Sequence, residues 1–411
     1  MRTKDFLRSG HIPTLFSAFL YFDISFMVWV MLGALGVSIS EEFRLSAAEK
    51  GMMVALPLLG GSLLRIPLGI LTDRYGGKKT ALAGQIATMI PLILGWRVAN
   101  SMSEIYIVGL LLGVAGASFA VALPLASRWY PPQHQGLAMG IAGAGNSGTV
   151  LAALFAPRLA KAFGWHGVFG LALIPMVLMF IIFLILAKDS PLQAEPKKLS
   201  QYLNTMRTRD AWLFSFFYGI TFGGFVGLAS FLPIFFHDQY GEDKVMAGNL
   251  TALCVIAGSF VRPIGGYLAD RLGGVKVLSG VYTLVGILAF SISTLPTLHT
   301  VVISLFLTML SLGCGNGSLF QLVPLRFPNE VGVITGLVGA FGGLGGFFLP
   351  NILGILRDTT GAYSAGFLVF SLAALGANLI LLMANTMLWE KEDWKEGGRI
   401  GKPEGYPEPA D

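Results

Sequence analysis

Hydrophobic residues run along this chain in long blocks, and charged residues, proline and glycine punctuate the short stretches between them. A helix needs about 20 mostly apolar residues to cross the hydrocarbon core of a bilayer, and twelve blocks are close to that length. Membrane strands would be shorter and would alternate apolar with polar positions. The pattern therefore predicts an all-α integral membrane protein with twelve transmembrane helices. The predicted spans are 14–37, 51–71, 80–98, 105–126, 137–159, 166–187, 212–236, 248–269, 277–295, 301–323, 332–355 and 363–387.

Charged residues are scarce for a chain of 411 residues, at 12% of the sequence against roughly 25% in a typical soluble domain. So few charges cannot cover a water-facing surface, which argues against an ordinary soluble enzyme, a disordered chain or a nucleic-acid binder. Both cysteines, Cys254 and Cys314, lie inside apolar blocks and are expected to pack as small hydrophobic side chains. The sequence contains no nucleophile–base pair, phosphate-binding loop or metal-ligand spacing. We therefore expect no enzymatic activity, no cofactor and no metal.

Lysine and arginine collect on one side of the predicted bundle. If the N-terminus is cytoplasmic, the loops and tails on that side carry 19 of them and the opposite loops carry 7. An excess of positive charge marks cytoplasmic loops. The first apolar block is much longer than the core of a signal peptide, so it is predicted to remain as a membrane helix. The protein is expected to cross the cell membrane many times, in contact with lipid, with both termini cytoplasmic.

The polar, basic stretch 188–211 divides six predicted spans from six. It predicts an N-terminal six-helix bundle over 1–187, a cytoplasmic linker over 188–211 and a C-terminal bundle over 212–388. Residues 389–411 are charged and rich in glycine and proline. This composition is typical of a disordered tail.

The two predicted halves share duplicated segments. Residues 65–78 and 262–275 align at an offset of 197, with Arg, the Gly four positions on, the Asp eight positions on, and the following Arg and Gly-Gly all matching. A second match aligns 140–144 with 336–340 at an offset of 196. Such repeats are typical of carriers that bind substrate between two halves near the membrane midplane and rock the halves around it.

Of the 28 lysines and arginines, 26 are assigned to loops, tails and span ends, and the two that remain deep within predicted spans are Arg65 and Arg262. Arg65 precedes the next loop by about seven residues, which is roughly 10 Å of helix, and Arg262 occupies the matching position. A guanidinium is costly inside a membrane, and Asp23 is the one acid within the apolar body of a span. The surplus positive charge predicts an anionic substrate, and the fork of arginine suits a planar oxyanion. The structural alternative is hydrogen bonding to carbonyls freed by Pro67 and Pro263.

The pattern Gly-x-x-x-Asp-Arg-x-Gly-Gly-Lys at 69–78, with its degenerate copy at 266–275, resembles the cytoplasmic loop signature of the major facilitator superfamily. The glycine-rich segments 140–148 and 336–346 resemble the paired signatures of the nitrate/nitrite porter family, a branch of that superfamily. The likeness covers essentially the whole chain. The resemblance implies the major facilitator fold, with two pseudo-symmetric six-helix bundles, and transport of nitrate or nitrite.

The resemblance also implies roles for particular residues. Arg65 and Arg262 are expected to clamp nitrate or nitrite between the halves, in a pocket that also contains Asn146, Tyr218, Phe222, Phe119 and Phe26. The residues expected to act in gating are Gly69, Asp73, Arg74, Gly76, Gly77, Asp270, Arg271, Gly143, Gly145, Gly339, Gly342 and Gly343. Taken alone, Asn146 also fits an interhelical hydrogen bond. Tyr218 and Phe222, four residues apart on one helical face, also fit a core contact.

Two ways of driving transport stay open. Exchange of nitrate for nitrite needs no titratable group, only a site that cannot change state when it is empty. Proton symport needs a coupling group, for which Asp23 is the candidate, although Asp23 also fits a hydrogen bond to a nearby Ser or Tyr. We expect a monomer that mainly takes up nitrate. The alternatives are a carrier of another small anion, such as formate or oxalate, and a membrane sensor that binds nitrate without moving it.

Overall fold

The computed structural model describes residues 3–191, 207–327 and 331–389. Most of the predicted linker, residues 192–206, and nearly all of the predicted tail, residues 390–411, lie outside this part of the chain. All regular secondary structure in the described residues is helical. A short helix, Thr3–Ser9, precedes the membrane helices, which we label α1 to α12.

Helices α1 to α6 form the first half. α1 runs through Ile12–Trp29, Met31–Ala34 and Gly36–Phe43. α2 is Ala47–Tyr75, α3 is Gly77–Arg97, and α4 comprises Met102–Gly116 and Phe119–Ser127. α5 begins with Pro132–Gly143 and passes through a 3₁₀ turn at Ala144–Ser147. It continues into Gly148–Leu186, where the backbone leaves the helical region at Gly164 (φ 71°, ψ 159°) and α6 begins.

Helices α7 to α12 form the second half. α7 is Arg209–Tyr240, and α8 comprises Lys244–Phe260 and Arg262–Leu272. α9 is Gly274–Ser293, α10 is Leu298–Arg326 and α11 is Val331–Thr360. α12 is Ser364–Ala384, followed by a π-helical turn at Asn385–Trp389.

The twelve predicted crossings are present in the described residues. Ten helical stretches there are long and apolar enough to span a membrane. One of them, the 49-residue stretch Ala138–Leu186, contains the break at Gly164 and so supplies two crossings, α5 and α6. Gly77–Arg97, with 21 residues, supplies the twelfth. The helices extend beyond several predicted spans, as α2 does at both ends, because the ends of membrane helices carry charged residues that hydropathy does not count.

Glycine lets helices cross closely at the same place in both halves. A Cβ atom on Gly113 of α4 would lie 2.2 Å from the carbonyl carbon of Gly60 on α2. A Cβ on Gly313 of α10 would likewise lie 2.1 Å from the carbonyl oxygen of Gly258 on α8. Small residues allow such close packing between membrane helices. The crossing on α2 lies about one turn before Arg65, and the crossing on α8 lies one turn before Arg262. The two halves therefore share helix packing as well as sequence.

Contacts between the halves tie one face of the molecule together. We call this the far face; it carries the turn between α1 and α2, and the terminal face is the opposite one, where α1 begins and α12 ends. At the far face Lys50 of α2 pairs with Asp238 of α7 at 2.6 Å. Glu41 of α1 pairs with Lys244 of α8 at 2.5 Å and lies 3.7 Å from His237 of α7.

A helix of one half is capped by a residue of the other half at the same face. The carboxylate of Asp358 on α11 accepts hydrogen bonds from the backbone N–H groups of Ala47 (3.0 Å) and Ala48 (2.8 Å), at the start of α2. These N–H groups have no partner inside their own helix, and a negative charge is favourable at a helix N-terminus. The described ion pairs of the terminal face, by contrast, join helices of a single half, as Arg326 and Asp210 do at 2.5 Å. The far face is therefore closed in this structure.

Candidate functional site

Arg65 lies deep in α2, with only 1% of its surface exposed. Its Nε donates to the carbonyl oxygen of Gly116 on α4 at 3.3 Å, and its Nη1 donates to the carbonyl oxygen of Gly339 on α11. Its Nη2 is buried and has no hydrogen-bond partner. The structural alternative, in which Arg65 bonds to backbone carbonyls, is thus partly correct. The carbonyls that accept from it belong to α4 and α11, however, and are not those freed by Pro67. The contact with Gly339 joins the two halves.

Three aromatic rings surround the Arg65 guanidinium. Its central carbon lies 5.4 Å from the ring centre of Trp29, 5.2 Å from that of Phe119 and 5.0 Å from that of Phe222. A cation within about 6 Å of a ring centre is attracted by the ring quadrupole. The rings therefore stabilise the positive charge in a place that excludes water, without neutralising it.

Arg262 approaches the same ring from the other half. It stands at the start of the second segment of α8, just after the break at Val261. Its guanidinium carbon lies 6.0 Å from the ring centre of Phe222, and its Nη2 donates to the hydroxyl oxygen of Tyr218 at 3.3 Å. Its Nη1 is buried without a partner. The two predicted arginines thus share Phe222, and each keeps one Nη group without a hydrogen bond.

Tyr218 and Phe222 stack on each other along α7, with ring centres 5.0 Å apart and planes within 10°. The predicted shared face is therefore present. Phe320 of α10, a residue that sequence reasoning missed, meets the Tyr218 ring edge-on at 4.9 Å and lies 6.1 Å from Phe119. Trp29 ends the stretch 26–29, from which the sequence prediction selected Phe26. Phe320 and Trp29 each lie on a helix with more than one aromatic residue, and no signal in the sequence says which of these residues faces the site.

Phe26 and Asn146 complete the predicted set. The Phe26 ring lies 4.8 Å from Trp29 and 6.5 Å from Phe222. Asn146 stands in the 3₁₀ turn of α5, fully buried, and neither its Nδ2 nor its Oδ1 has a partner. The structure gives no interhelical hydrogen bond to this side chain. Its neighbour Gly145 packs against Phe22 of α1, beside the aromatic cluster.

Asp23 ties α1 to α5. Its Oδ1 accepts a hydrogen bond from the Ser147 hydroxyl at 2.6 Å, and its backbone lies against Gly148, where a Cβ would come within 1.8 Å of the Asp23 carbonyl oxygen. The alternative considered for Asp23, a hydrogen bond to a nearby Ser, is therefore present. Its coupling role stays a prediction.

The loop signature forms a sharp turn at the terminal face. Gly76 takes φ 91°, a left-handed value that favours glycine, and Gly77 begins α3. Asp73 forms an ion pair with Arg128 at the end of α4. The backbone N–H of Lys78, in the first turn of α3, donates to Asp189 at 2.8 Å. The turn is thus held to α4 and to the chain that leaves α6.

The copy of this signature in the second half is built differently. Asp270 is exposed, and Arg326, the last residue of α10, pairs with Asp210 of α7. Arg74 and Arg271 are exposed at the same face. Among the described residues, the ion pair that Asp73 makes in the first copy therefore has no counterpart at Asp270 in the second.

Five of the eight predicted gating glycines differ in how closely other residues approach them. Gly342 and Gly343 allow contacts near the site: a Cβ on Gly342 would lie 2.4 Å from the Tyr218 ring, and one on Gly343 would lie 3.1 Å from Ser62. A Cβ on Gly339 would lie 3.7 Å from Arg65 Nη1. Gly69 and Gly143 face open space, with nothing within 4 Å of where a Cβ would stand. Gly339, Gly342 and Gly343 are thus positioned to let α11 approach the site. Gly69 and Gly143 are not crowded in this state.

The chemistry of the site is that of an anion receptor. Among the described residues that contact Arg65 or Arg262 there are carbonyls, a hydroxyl and rings, but no carboxylate. The described residues also contain no group of three or more metal-ligating side chains. Two guanidinium groups, one from each half, thus face an aromatic-walled centre in a twelve-helix membrane protein. Fold and site together define a two-half membrane carrier with a cationic central site.

Comparison with known proteins agrees with this class. Residues 16–350 match the family model described as Major Facilitator Superfamily, and the chain belongs to this superfamily. It is a multi-pass membrane transporter and not an enzyme.

Three relatives show how similar the chain is to named transporters. It is 33% identical over 89% of its length to the "Nitrite extrusion protein" of Bacillus subtilis, of which it covers 92%. It is 35% identical over 86% of its length to the "Probable nitrate/nitrite transporter NarK2" of Mycobacterium tuberculosis, of which it covers 91%. It is 32% identical over 93% of its length to the "Probable nitrate/nitrite antiporter NarK1" of Thermus thermophilus, of which it covers 91%.

Solved structures share the fold. The chain superimposes with a TM-score of 0.64 on a bacterial homolog of the human lysosomal transporter Spinster, in an inward-facing and occupied conformation. The match covers 95% of this chain and 98% of the other, at 17% sequence identity. The predicted major facilitator fold is confirmed.

Proposed function

We propose that this protein carries nitrate and nitrite across the cell membrane by alternating access. One observation carries the proposal: Arg65 and Arg262, one from each half, face the same Phe222 ring, and each keeps a buried Nη group without a partner. An anion between the halves supplies the missing acceptor for both. The nitrate or nitrite named for the relatives from Bacillus, Mycobacterium and Thermus supports the choice of anion.

The shape of the site supports a small, flat anion. Nitrate and nitrite are planar, and the fork of an arginine donates parallel hydrogen bonds to planar oxyanions. Aromatic rings offer flat, apolar walls that accept the faces of such an ion. Because the site residues Tyr218, Phe222 and Asn146 are fully buried, the anion would leave water on binding. A weakly hydrated ion loses less on that transfer than a strongly hydrated one.

The charge of the site supports exchange rather than proton symport. When the halves close over an empty site, two guanidinium groups are buried with no counter-charge, which is costly in a low-dielectric interior. A bound anion removes this cost, so the loaded carrier changes state more readily than the empty one. Asp23 is engaged with Ser147 in this structure, which supports a structural role for it. Exchange of nitrate for nitrite is thus the favoured mechanism, with net nitrate uptake.

The proposal also assigns the orientation of the protein in the membrane and the two units that move. Both termini are cytoplasmic, so the terminal face is the inner face and the far face is the outer one. The protein works as a monomer, and residues 1–187 and 212–388 rock as two units joined by the linker 188–211. The far-face ion pairs hold the outer side closed in the present state and must separate for the site to open outward.

Reconstitution tests the function and its mechanism together. Purified protein in liposomes is expected to take up labelled nitrate when the lumen contains nitrite, and to take up little when it does not. Imposing a pH gradient, acidic outside, without internal nitrite separates the mechanisms. Uptake driven by that gradient alone would reject exchange in favour of symport, and uptake in neither condition would reject nitrate transport.

Competition tests the anion. Nitrate and nitrite are expected to inhibit labelled nitrate uptake at concentrations at which formate, oxalate and chloride have no effect. Stronger inhibition by formate or oxalate would identify a carboxylate carrier. Saturable binding of nitrate by the purified protein, without any flux in liposomes, would instead identify a sensor built on a transporter fold.

A further inference from the structure

Asn316 is a second fully buried asparagine without a hydrogen-bond partner. It stands in α10, and neither its Nδ2 nor its Oδ1 is bonded. Asn146, in the first half, is in the same condition. Leaving a buried carboxamide unbonded is unfavourable, and buried polar side chains are satisfied in the large majority of cases. A carboxamide of this kind is available to a ligand that brings the polar partner with it.

The helical register places Asn316 beside the site. Residues four apart share a face of a helix, and both neighbours of Asn316 on its face reach α7. Phe320, one turn on, meets the Tyr218 ring at 4.9 Å. Leu312, one turn back, lies 3.3 Å from where a Cβ on Gly224 would stand. Asn316 therefore faces α7 at the level between Tyr218 and Gly224, the level that holds Phe222.

Arg262 of α8 lies close to Asn316 on another side of α10. The backbone of α10 next to Asn316 packs against α8, and a Cβ on Gly317 would lie 2.0 Å from the carbonyl oxygen of Arg262. The unbonded Oδ1 of Asn316 and the unbonded Nη1 of Arg262 are thus an acceptor and a donor on neighbouring residues. With Arg262 Nη1 assigned to the anion, the unbonded Asn316 Nδ2 is available as a further donor to that same anion.

We propose that Asn316 donates a hydrogen bond from the C-terminal half to the bound anion and sets the preference for nitrate over nitrite. This inference rests on the proposed function. Nitrate presents three oxygen acceptors and nitrite presents two. A site with two guanidinium groups and donors from Asn146 and Tyr218 satisfies two oxygens, and the amide of Asn316 serves the third. Losing that amide costs nitrate a hydrogen bond that nitrite does not make.

Binding measured on the purified full-length protein tests this. Asn316→Leu keeps the approximate volume and removes both polar atoms. We expect the dissociation constant for nitrate to rise about tenfold or more, and that for nitrite to rise less than about threefold, as expected for one lost hydrogen bond. Asn351→Leu is the matched control, because it also removes a buried amide, one that bonds to Phe347 away from the site. It should leave the nitrate-to-nitrite ratio unchanged.

A second variant covers the case in which Asn316→Leu does not fold. Asn316→Asp keeps the shape and replaces the donor by a carboxylate, so it is expected to weaken binding of both anions by more than tenfold while the protein stays folded. Unchanged nitrate-to-nitrite preference in Asn316→Leu, or full nitrate affinity in Asn316→Asp, would overturn the proposal for this residue. Failure of the wild-type protein to bind either anion would instead overturn the proposed function.

Discussion

The guanidinium carbon of Arg65 lies 5.0 Å from the ring centre of Phe222, so a cation of the first half rests against an aromatic ring of the second. Arg262 lies 6.0 Å from the same ring. The side chain of Phe222 thereby links both charges across the interface between the halves. In a site without a contacting carboxylate among the described residues, this ring and its aromatic neighbours stabilise the charge of the buried Arg65 and of the partly buried Arg262.

Phe222→Leu is expected to weaken anion binding and transport about five- to thirtyfold, because each cation–π contact is worth roughly 0.5–2 kcal/mol. The measurement is the rate of nitrate exchange in liposomes at matched protein levels. Phe235→Leu is the control, since this buried ring packs against Tyr363 and Phe367 at the far end of the same helix. An equal loss in both variants would mean that Phe222 acts only through packing.

Arg65→Lys is expected to lower nitrate affinity at least about tenfold. An ammonium group keeps the charge but cannot reproduce a planar fork that serves two carbonyls and an anion at once. The same substitution at Arg262, which has fewer carbonyl contacts, should lower affinity without lowering the melting temperature as much. Nitrate-induced thermal stabilisation of the purified variants measures both effects. Wild-type affinity in Arg65→Lys would make this residue purely structural.

Replacing glycine by alanine is expected to lower protein stability at a helix crossing and not at an uncrowded position. Gly113→Ala places a Cβ against the backbone of Gly60 and is expected to destabilise the protein by about 1–3 kcal/mol. Gly280→Ala, on α9, meets nothing within 4 Å and is expected to be neutral or to stabilise by about 0.5–1 kcal/mol. Melting temperatures in one detergent check this. A lower melting temperature for Gly280→Ala would contradict the packing described here.

Removing the cross-half cap on α2 should loosen the far face. Asp358→Ala leaves the N–H groups of Ala47 and Ala48 without their partner, and hydrogen bonds to a charged group contribute about 1.5–3 kcal/mol. Hydrogen exchange at these amides, followed by mass spectrometry, is expected to speed up about tenfold or more. Asp243→Ala is the control, since Asp243 caps α8 within its own half. If each substitution speeds up exchange only at the start of its own helix, with no change elsewhere on the far face, then Asp358 caps α2 but does not hold the two halves together.

Acid is expected to loosen the start of α1. The ring Nδ1 of His11 accepts a hydrogen bond from the backbone N–H of Thr14 at 3.2 Å, which requires the neutral ring at that atom. Burial, with a smaller contribution from the positive charge of Lys188, lowers the pKa of His11 below 6.5. Because the folded-state pKa is the lower one, the contribution of this cap is fully present above about pH 6.5 and is lost as the pH falls through the folded-state pKa.

His11→Asn tests this prediction, because Asn caps a helix without titrating near neutral pH. The His11 ring lies 4.8 Å from the Trp129 ring, so tryptophan fluorescence reports on the contact. Between pH 7.5 and pH 5 the wild-type protein should lose thermal stability and change its fluorescence, and His11→Asn should change much less. An identical acid response in the two proteins would assign it to other groups.

Several features of the site were predictable from the sequence because they depend on local order. Charge inside an apolar span singled out Arg65 and Arg262, and a spacing of four residues placed Tyr218 and Phe222 on one face. Trp29 and Phe320 were not predictable. Each of their helices holds more than one aromatic residue, and which one faces the centre depends on the rotation of the helix within the bundle. Likewise, no repeat in the sequence says that Arg326 pairs with Asp210 and not with Asp270.

The sequence by itself determined the number of membrane crossings, the duplication of the halves and the surplus of buried positive charge. These follow from the cost of placing polar groups in hydrocarbon, which acts on each segment separately. Only the tertiary structure decided that Arg65 bonds to Gly339, 274 residues away, that both arginines share Phe222, and that the far face is closed. Those contacts depend on how the two halves pack against each other. That packing depends on the shapes of the folded surfaces, which cannot be read from the order of residues.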